Sequence, residues 1–182
     1  MINERALVAA MKNDYKGEGY KAAVGTEGVT ICGNGWGVQT EMERVPKKAL
    51  ALLVEHLGAL PEDGCVYGVS KVDDPTVEMG GLTDELLAEV RRQTKAAGDK
   101  TAKQTPLTFC GWRVWQDPED LTVLLMEGRL TAMVDSRCKA VRVDRQRLVF
   151  VGLPGEAVWV DAVPALEETN LATALESTQW RV

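Results

Sequence analysis

The chain has 182 residues and a net charge of −6, with 45% hydrophobic against 26% charged residues. Such a length suits one domain or two small ones with a sizeable core, and this balance excludes disorder of the whole chain. No apolar run approaches the roughly 20 residues of a membrane helix, and Glu4 precedes only a short apolar stretch, unlike a secretory signal, so a cytoplasmic protein is expected.

Asn3 can cap a helix over residues 3–13, in which Ala6, Leu7, Ala10 and Met11 make an apolar stripe at helical spacing. Strands at 20–24, 29–32 and 36–40 follow, separated by residues 25–28 and by Gly33-Asn34-Gly35. Connections this short join antiparallel neighbours, which predicts a meander. Pro46 suits the first turn of a helix over 46–57, where its missing N–H costs nothing. Ala49, Leu50, Leu53, Leu57 and Leu60 form its apolar face, and Gly58 and Pro61 stop it.

Residues 65–71 are a strand candidate broken by Asp73-Asp74-Pro75, and Thr83 opens a helix with Asp84 and Glu85 in its first turn. The stretch 94–106 is small and polar, a linker or loop. Beyond it strands are predicted at 107–115, 121–127, 130–135, 140–143, 148–151 and 157–162, with a helix over 121–126 as a rival. A last helix is expected at 164–175. The fold class is α+β, with antiparallel sheet, helices packed on one face, and two halves, 1–93 and 107–182, joined by the linker 94–106.

An offset of 119 residues matches Ala22, Val24, Val29, Ile31 and Gly33 with Val141, Val143, Leu148, Phe150 and Gly152. Each set is followed by a Val-Pro pair, Val45-Pro46 and Val163-Pro164, that opens a helix. Two related halves are the architecture this offset suggests, although alternating strands match one another cheaply.

Cys32, Cys65, Cys110 and Cys138 are widely spaced and only one histidine is present, so no paired-ligand zinc site is expected; the cysteines read as small apolar residues. His56, near the C-terminal end of its helix, is the one imidazole an enzyme would use, paired with Glu55; bordering the apolar stripe is the plainer reading. Gly33-Asn34-Gly35-Trp36-Gly37 leads into a strand rather than a helix, so a tight hairpin turn explains it better than a phosphate cradle. Ser136 and Lys139 match S-x-x-K without its companion motifs. Asp73 and Asp74, or Asp117, Glu119 and Asp120, are acids of solvated turns before they are metal ligands. No catalytic residue, metal or cofactor is assigned.

Charge is unevenly spread. Between Glu55 and Glu89 nine acids face one base, whereas between Arg129 and Leu148 six bases face two acids. Arg137, Lys139, Arg142, Arg145 and Arg147 are therefore the candidate nucleic-acid contacts, with Trp112 and Trp115 as stacking partners, against solvated charge as the bland reading and with Trp115 and Trp159 expected in the core. Trp180, near the C-terminus, is the candidate anchor for a protein partner or a second copy.

Trp36-Gly37-Val38, Val45-Pro46-Lys47-Lys48-Ala49-Leu50, Val54-Glu55-His56-Leu57-Gly58 and Pro61-Glu62-Asp63-Gly64 give residues 36–64 a resemblance to small uncharacterised proteins of Gram-positive prophages and related mobile elements. The resemblance implies a mobile-element setting and supplies no activity. Three function classes stand: first a non-enzymatic cytoplasmic binding or assembly protein, then a nucleic-acid-binding protein using the basic stretch, then a small-molecule enzyme using His56.

Overall fold

A computed structural model describes residues 1–25, 28–79, 92, 95, 101–109, 111–135, 138–143, 146–153 and 155–162. Among them the chain runs α1 (Glu4–Lys16), β1 (Tyr20–Gly25), β2 (Gly28–Gly33), β3 (Trp36–Thr40), a short 3-10 turn (Met42–Arg44), α2 (Lys47–Leu57), β4 (Cys65–Val69), β5 (Thr76–Met79), β6 (Lys103–Phe109), β7 (Trp112–Gln116), β8 (Val123–Glu127), α3 (Gly128–Thr131), β9 (Lys139–Arg142), β10 (Arg147–Val151) and β11 (Ala157–Asp161). The class is α+β, with an antiparallel sheet of eight strands ordered β5-β4-β1-β2-β3-β11-β10-β9 and a separate sheet of three, β6-β7-β8.

The predicted meander forms as β1-β2-β3, and a second meander, β9-β10-β11, joins it edge to edge through β3 and β11. Val38 lies opposite Ile31 in the first and Val158 opposite Phe150 in the second, while Val38 and Val158 face each other at the junction. The register therefore relates the two meanders by an approximate twofold through that valine pair. The sequence offset of 119 holds for β2 and β10. It is one residue out in β1 and β9, where Ala22 is opposite Ile31 and Ala140 opposite Phe150, because the second hairpin is one residue longer.

One sheet face carries Ile31, Trp36, Val38, Leu148, Phe150 and Val158, and it is closed by Leu7 and Met11 of α1, Leu53 of α2, and Trp115, Leu124 and Met126 of the small sheet, all in one buried cluster. α1 packs against both α2 and α3. Asn3 caps α1 as predicted, its Oδ1 accepting from Ala6 N at 3.3 Å. α2 takes its cap from outside the helix: Glu4 of α1 accepts from Lys48 N at 2.9 Å. Gly58 ends α2 at φ +79, a left-handed conformation that side chains resist, and its N–H bonds Val54 O at 2.8 Å. Leu52, outside the predicted stripe, is buried, and Leu60, inside it, is exposed.

Several elements differ from the sequence reading. The predicted strand at 130–135 is instead α3 and the turn after it: Leu130, Met133 and Val134 recur at helical spacing, and all three are buried. The predicted strand at 107–115 is a hairpin, with Gly111 between β6 and β7 at φ +85, and residues 103–106, counted with the linker, begin β6. The rival helix at 121–126 is strand β8. It lacks alternation because residues on both its faces are buried, Leu124 in the main cluster and Leu125 in a smaller one with Val114 and Val123. β5 was not foreseen. The helix opened by Thr83 and the one at 164–175 lie outside the described residues.

Candidate functional site

The helix layer has a distinct outer surface. Arg5, Lys12 and Lys16 of α1, Lys47 and Lys48 of α2, and Arg129 of α3 are exposed there, against the acids Glu4 and Glu55. These positions follow from amphipathic folding: with Leu7, Ala10 and Met11 turned to the sheet, the bases of α1 face outward. Two of the bases have local partners, Lys48 with Glu4 at 3.8 Å and Arg129 with Glu127. A cleft of about 510 Å³ runs from this layer past Asn13, Glu18 and Arg129 to Asn34 and Asp161.

The floor of that cleft holds Asp14, only 6% exposed. Its Oδ2 accepts from Trp36 Nε1 at 2.8 Å and from Asn34 N at 3.0 Å, while its carbonyl accepts from the amides of Gly17 and Gly19. A side chain at Gly33 would collide with both partners, its Cβ falling 1.9 Å from Asp14 Oδ2, so glycine is what lets the turn close on the acid. The Gly33-Asn34-Gly35 segment is thus the hairpin turn expected, and it is also the receptor for a buried carboxylate. Sequence reasoning missed Asp14; the only signal was an acid within one turn of the apolar stripe.

His56 stands between α1, β1 and α2. The Tyr15 ring stacks on it at 3.7 Å and 12°, and the Tyr20 hydroxyl lies 2.8 Å from Nδ1. Burial lowers the imidazole's pKa below its ordinary value, with Glu55 opposing and Lys12 assisting. The Tyr20 hydroxyl is raised well above its usual range, chiefly by burial and then by Tyr15 and Glu55. Glu55, the partner expected for His56, is exposed; the tyrosines hold the ring instead.

The basic stretch is divided. Lys139 is exposed at the start of β9. Arg142 is 7% exposed, and its guanidinium bonds Asp117 Oδ2 at 2.9 Å through Nε and Asp120 through Nη2. Arg147 holds Asp161 with two bonds, 2.5 and 3.2 Å. Arg137, Arg145 and Trp180 lie outside the described residues. Trp115 and Trp159 are core, Trp115 meeting Phe150 edge-on at 5.4 Å.

The turn acids are engaged as well. Asp117 also accepts from Glu119 N, and Asp120 accepts from Thr122 N at 3.0 Å. Burial would raise the Asp120 carboxyl, but the Thr122 hydrogen bonds and the Arg142 charge outweigh it and hold it below the usual carboxylate range. Asp73 receives a hydrogen bond from Ser70 Oγ in its turn, at 3.5 Å. Cys32, Cys65 and Cys138 are not joined in disulfides, and burial pushes Cys32 up to about 11. Among the described residues no group of three or more His, Cys, Asp or Glu side chains is arranged to hold a metal ion.

No family model matches the chain, and no curated protein sequence matches it. Among solved structures, the β chain of DNA polymerase III from Streptococcus pneumoniae TIGR4 aligns at 10% identity with a TM-score of 0.33. The alignment covers 89% of this chain and 64% of that one. No described helix is long and apolar enough to cross a membrane.

Proposed function

We propose that this is a non-enzymatic binding or assembly protein whose working face is the outer surface of the helix layer. The observation that carries the reading is charge segregation: a chain of net charge −6 exposes six bases on α1, α2 and α3 against Glu4 and Glu55, the third acid of those helices, Asp14, being buried. The far end of the large sheet does the opposite, exposing Glu62, Asp63, Asp73, Asp74 and Glu78 around β4 and β5. A face of this kind fits an anionic partner, and the acidic end of a second copy meets that requirement. Contact between two different faces is heterologous and propagates until a ring closes or a filament forms. The reduced state of Cys32, Cys65 and Cys138 supports a cytoplasmic setting, where thiols stay reduced. The mobile-element setting implied by the resemblance at residues 36–64 belongs to the same proposal.

Sedimentation velocity at low and at high salt tests it. Association at low salt that is lost at high salt is expected, because exposed charges are screened within about 10 Å at 0.1 M. Arg5→Glu with Lys47→Glu should abolish association while folding normally, since both sit in first helical turns that favour acids. A protein monomeric at every salt concentration would sink the self-assembly reading. Nucleic acid is the second reading, favoured by the same six bases, and it predicts an affinity for random-sequence DNA that falls steeply with salt.

A further inference from the structure

We propose that His56 is a proton-operated latch that locks the last turn of α1 to the last turn of α2. The inference stands on its own geometry and goes beyond the binding role proposed above. Three elements converge on this ring: α1 supplies Tyr15, stacked at 3.7 Å, with Lys12 one turn earlier; β1 supplies Tyr20, whose hydroxyl is 2.8 Å from Nδ1; and α2 supplies Glu55 beside the histidine. With the ring neutral and its proton on Nε2, Nδ1 accepts from the Tyr20 hydroxyl. Tyr20 is 2% exposed and keeps its proton throughout the physiological range, so this acceptor is what satisfies it.

A second proton, bound at Nδ1, turns the acceptor into a donor. The Tyr20 O–H then points at a ring that cannot accept from it, and a positive charge is set among partly buried groups near Lys12, opposed among the described residues by exposed Glu55. The same α1 turn holds the loop before β5, because Lys71 N bonds Tyr15 O at 2.8 Å, so release of the latch loosens that loop too.

The lowered value of His56 fixes the direction. Stability contributed by the neutral ring is fully present above the unfolded value of about 6.5 and is lost as pH falls through the lower folded value. Because His56 is the single histidine, its ring resonances and the effect of its replacement are unambiguous.

The test is an NMR titration of the full chain from pH 7.5 to 5, together with thermal melts of the wild type and His56→Gln, which keeps an acceptor and loses the titrating proton. The wild-type ring should titrate below 6.5 and its melting temperature should fall across that window, while His56→Gln stays flat above the range where carboxylates titrate. Tyr20→Phe, which removes the hydroxyl that bonds the neutral ring but leaves the ring's burial, should move the His56 titration up, and it serves alone if His56→Gln does not fold. A ring that titrates at or above 6.5, melts with the same pH dependence in both proteins, or a titration unmoved by Tyr20→Phe would each overturn the latch.

Discussion

Among the described residues two aspartates are buried, and they are held by opposite means. Asp14, at the junction of α1 with the β2–β3 turn, is held by neutral donors, the Trp36 indole and the Asn34 amide. Asp117, which no solvent reaches, is held by a cation, the similarly buried Arg142, which Asp120 shares. The first arrangement spreads one charge over fixed dipoles within a single meander. The second stakes two buried charges on each other and ties the small sheet to β9 of the large one. Removing a partner therefore has unequal consequences, since an uncompensated buried charge is far costlier than an orphaned N–H.

The sharpest break is Arg142→Ala, which strands Asp117 without its cation; we expect a loss of about 3–5 kcal/mol in denaturant unfolding. Asp117→Asn should cost about 1.5–3 kcal/mol, because the buried guanidinium loses its counter-charge and keeps only a neutral acceptor there, while Asp120 still serves it. At the other site Asp14→Ala leaves the Trp36 N–H unpartnered and should cost about 1–3 kcal/mol. Asp14→Asn retains an acceptor oxygen for the same donors and should cost less, about 0.5–1 kcal/mol. If the two Asp→Asn variants prove equal, the distinction between cation-held and dipole-held carboxylates fails.

Neither acid was legible in the sequence, and for the same reason. Asp14 finds Asn34 and Trp36 twenty and twenty-two residues on, and Arg142 finds Asp117 twenty-five residues back. Local patterning reports which way a residue points and not what awaits it. Arg142 thus read as one of a run of solvated bases, although its strand face is covered by the small sheet. The elements that were legible are those whose burial is one-sided: α1, α2 and the β1-β2-β3 meander each carry a periodic apolar face with turn or capping residues at the ends. Where burial is two-sided the period fades. β8, apolar on both faces, was indistinguishable from a helix, and α3, barely one turn long, passed for a strand.

The basic helix layer was similarly hidden. Its bases are scattered from Arg5 to Arg129, and only the packing of α1 between α2 and α3 gathers them on one side. The denser basic stretch noted in the sequence is partly spent, Arg142 on Asp117 and Asp120, Arg147 on Asp161.

The most direct test of that face as a binding surface is a native mass spectrum of the purified full chain at low ionic strength, recorded before and after nuclease treatment and repeated with the Arg5→Glu, Lys47→Glu protein. Protein oligomers that survive nuclease and collapse to monomer in the charge-reversed variant are expected. Oligomers that persist unchanged in the variant, or a wild-type protein that is monomeric and carries no partner, would contradict it.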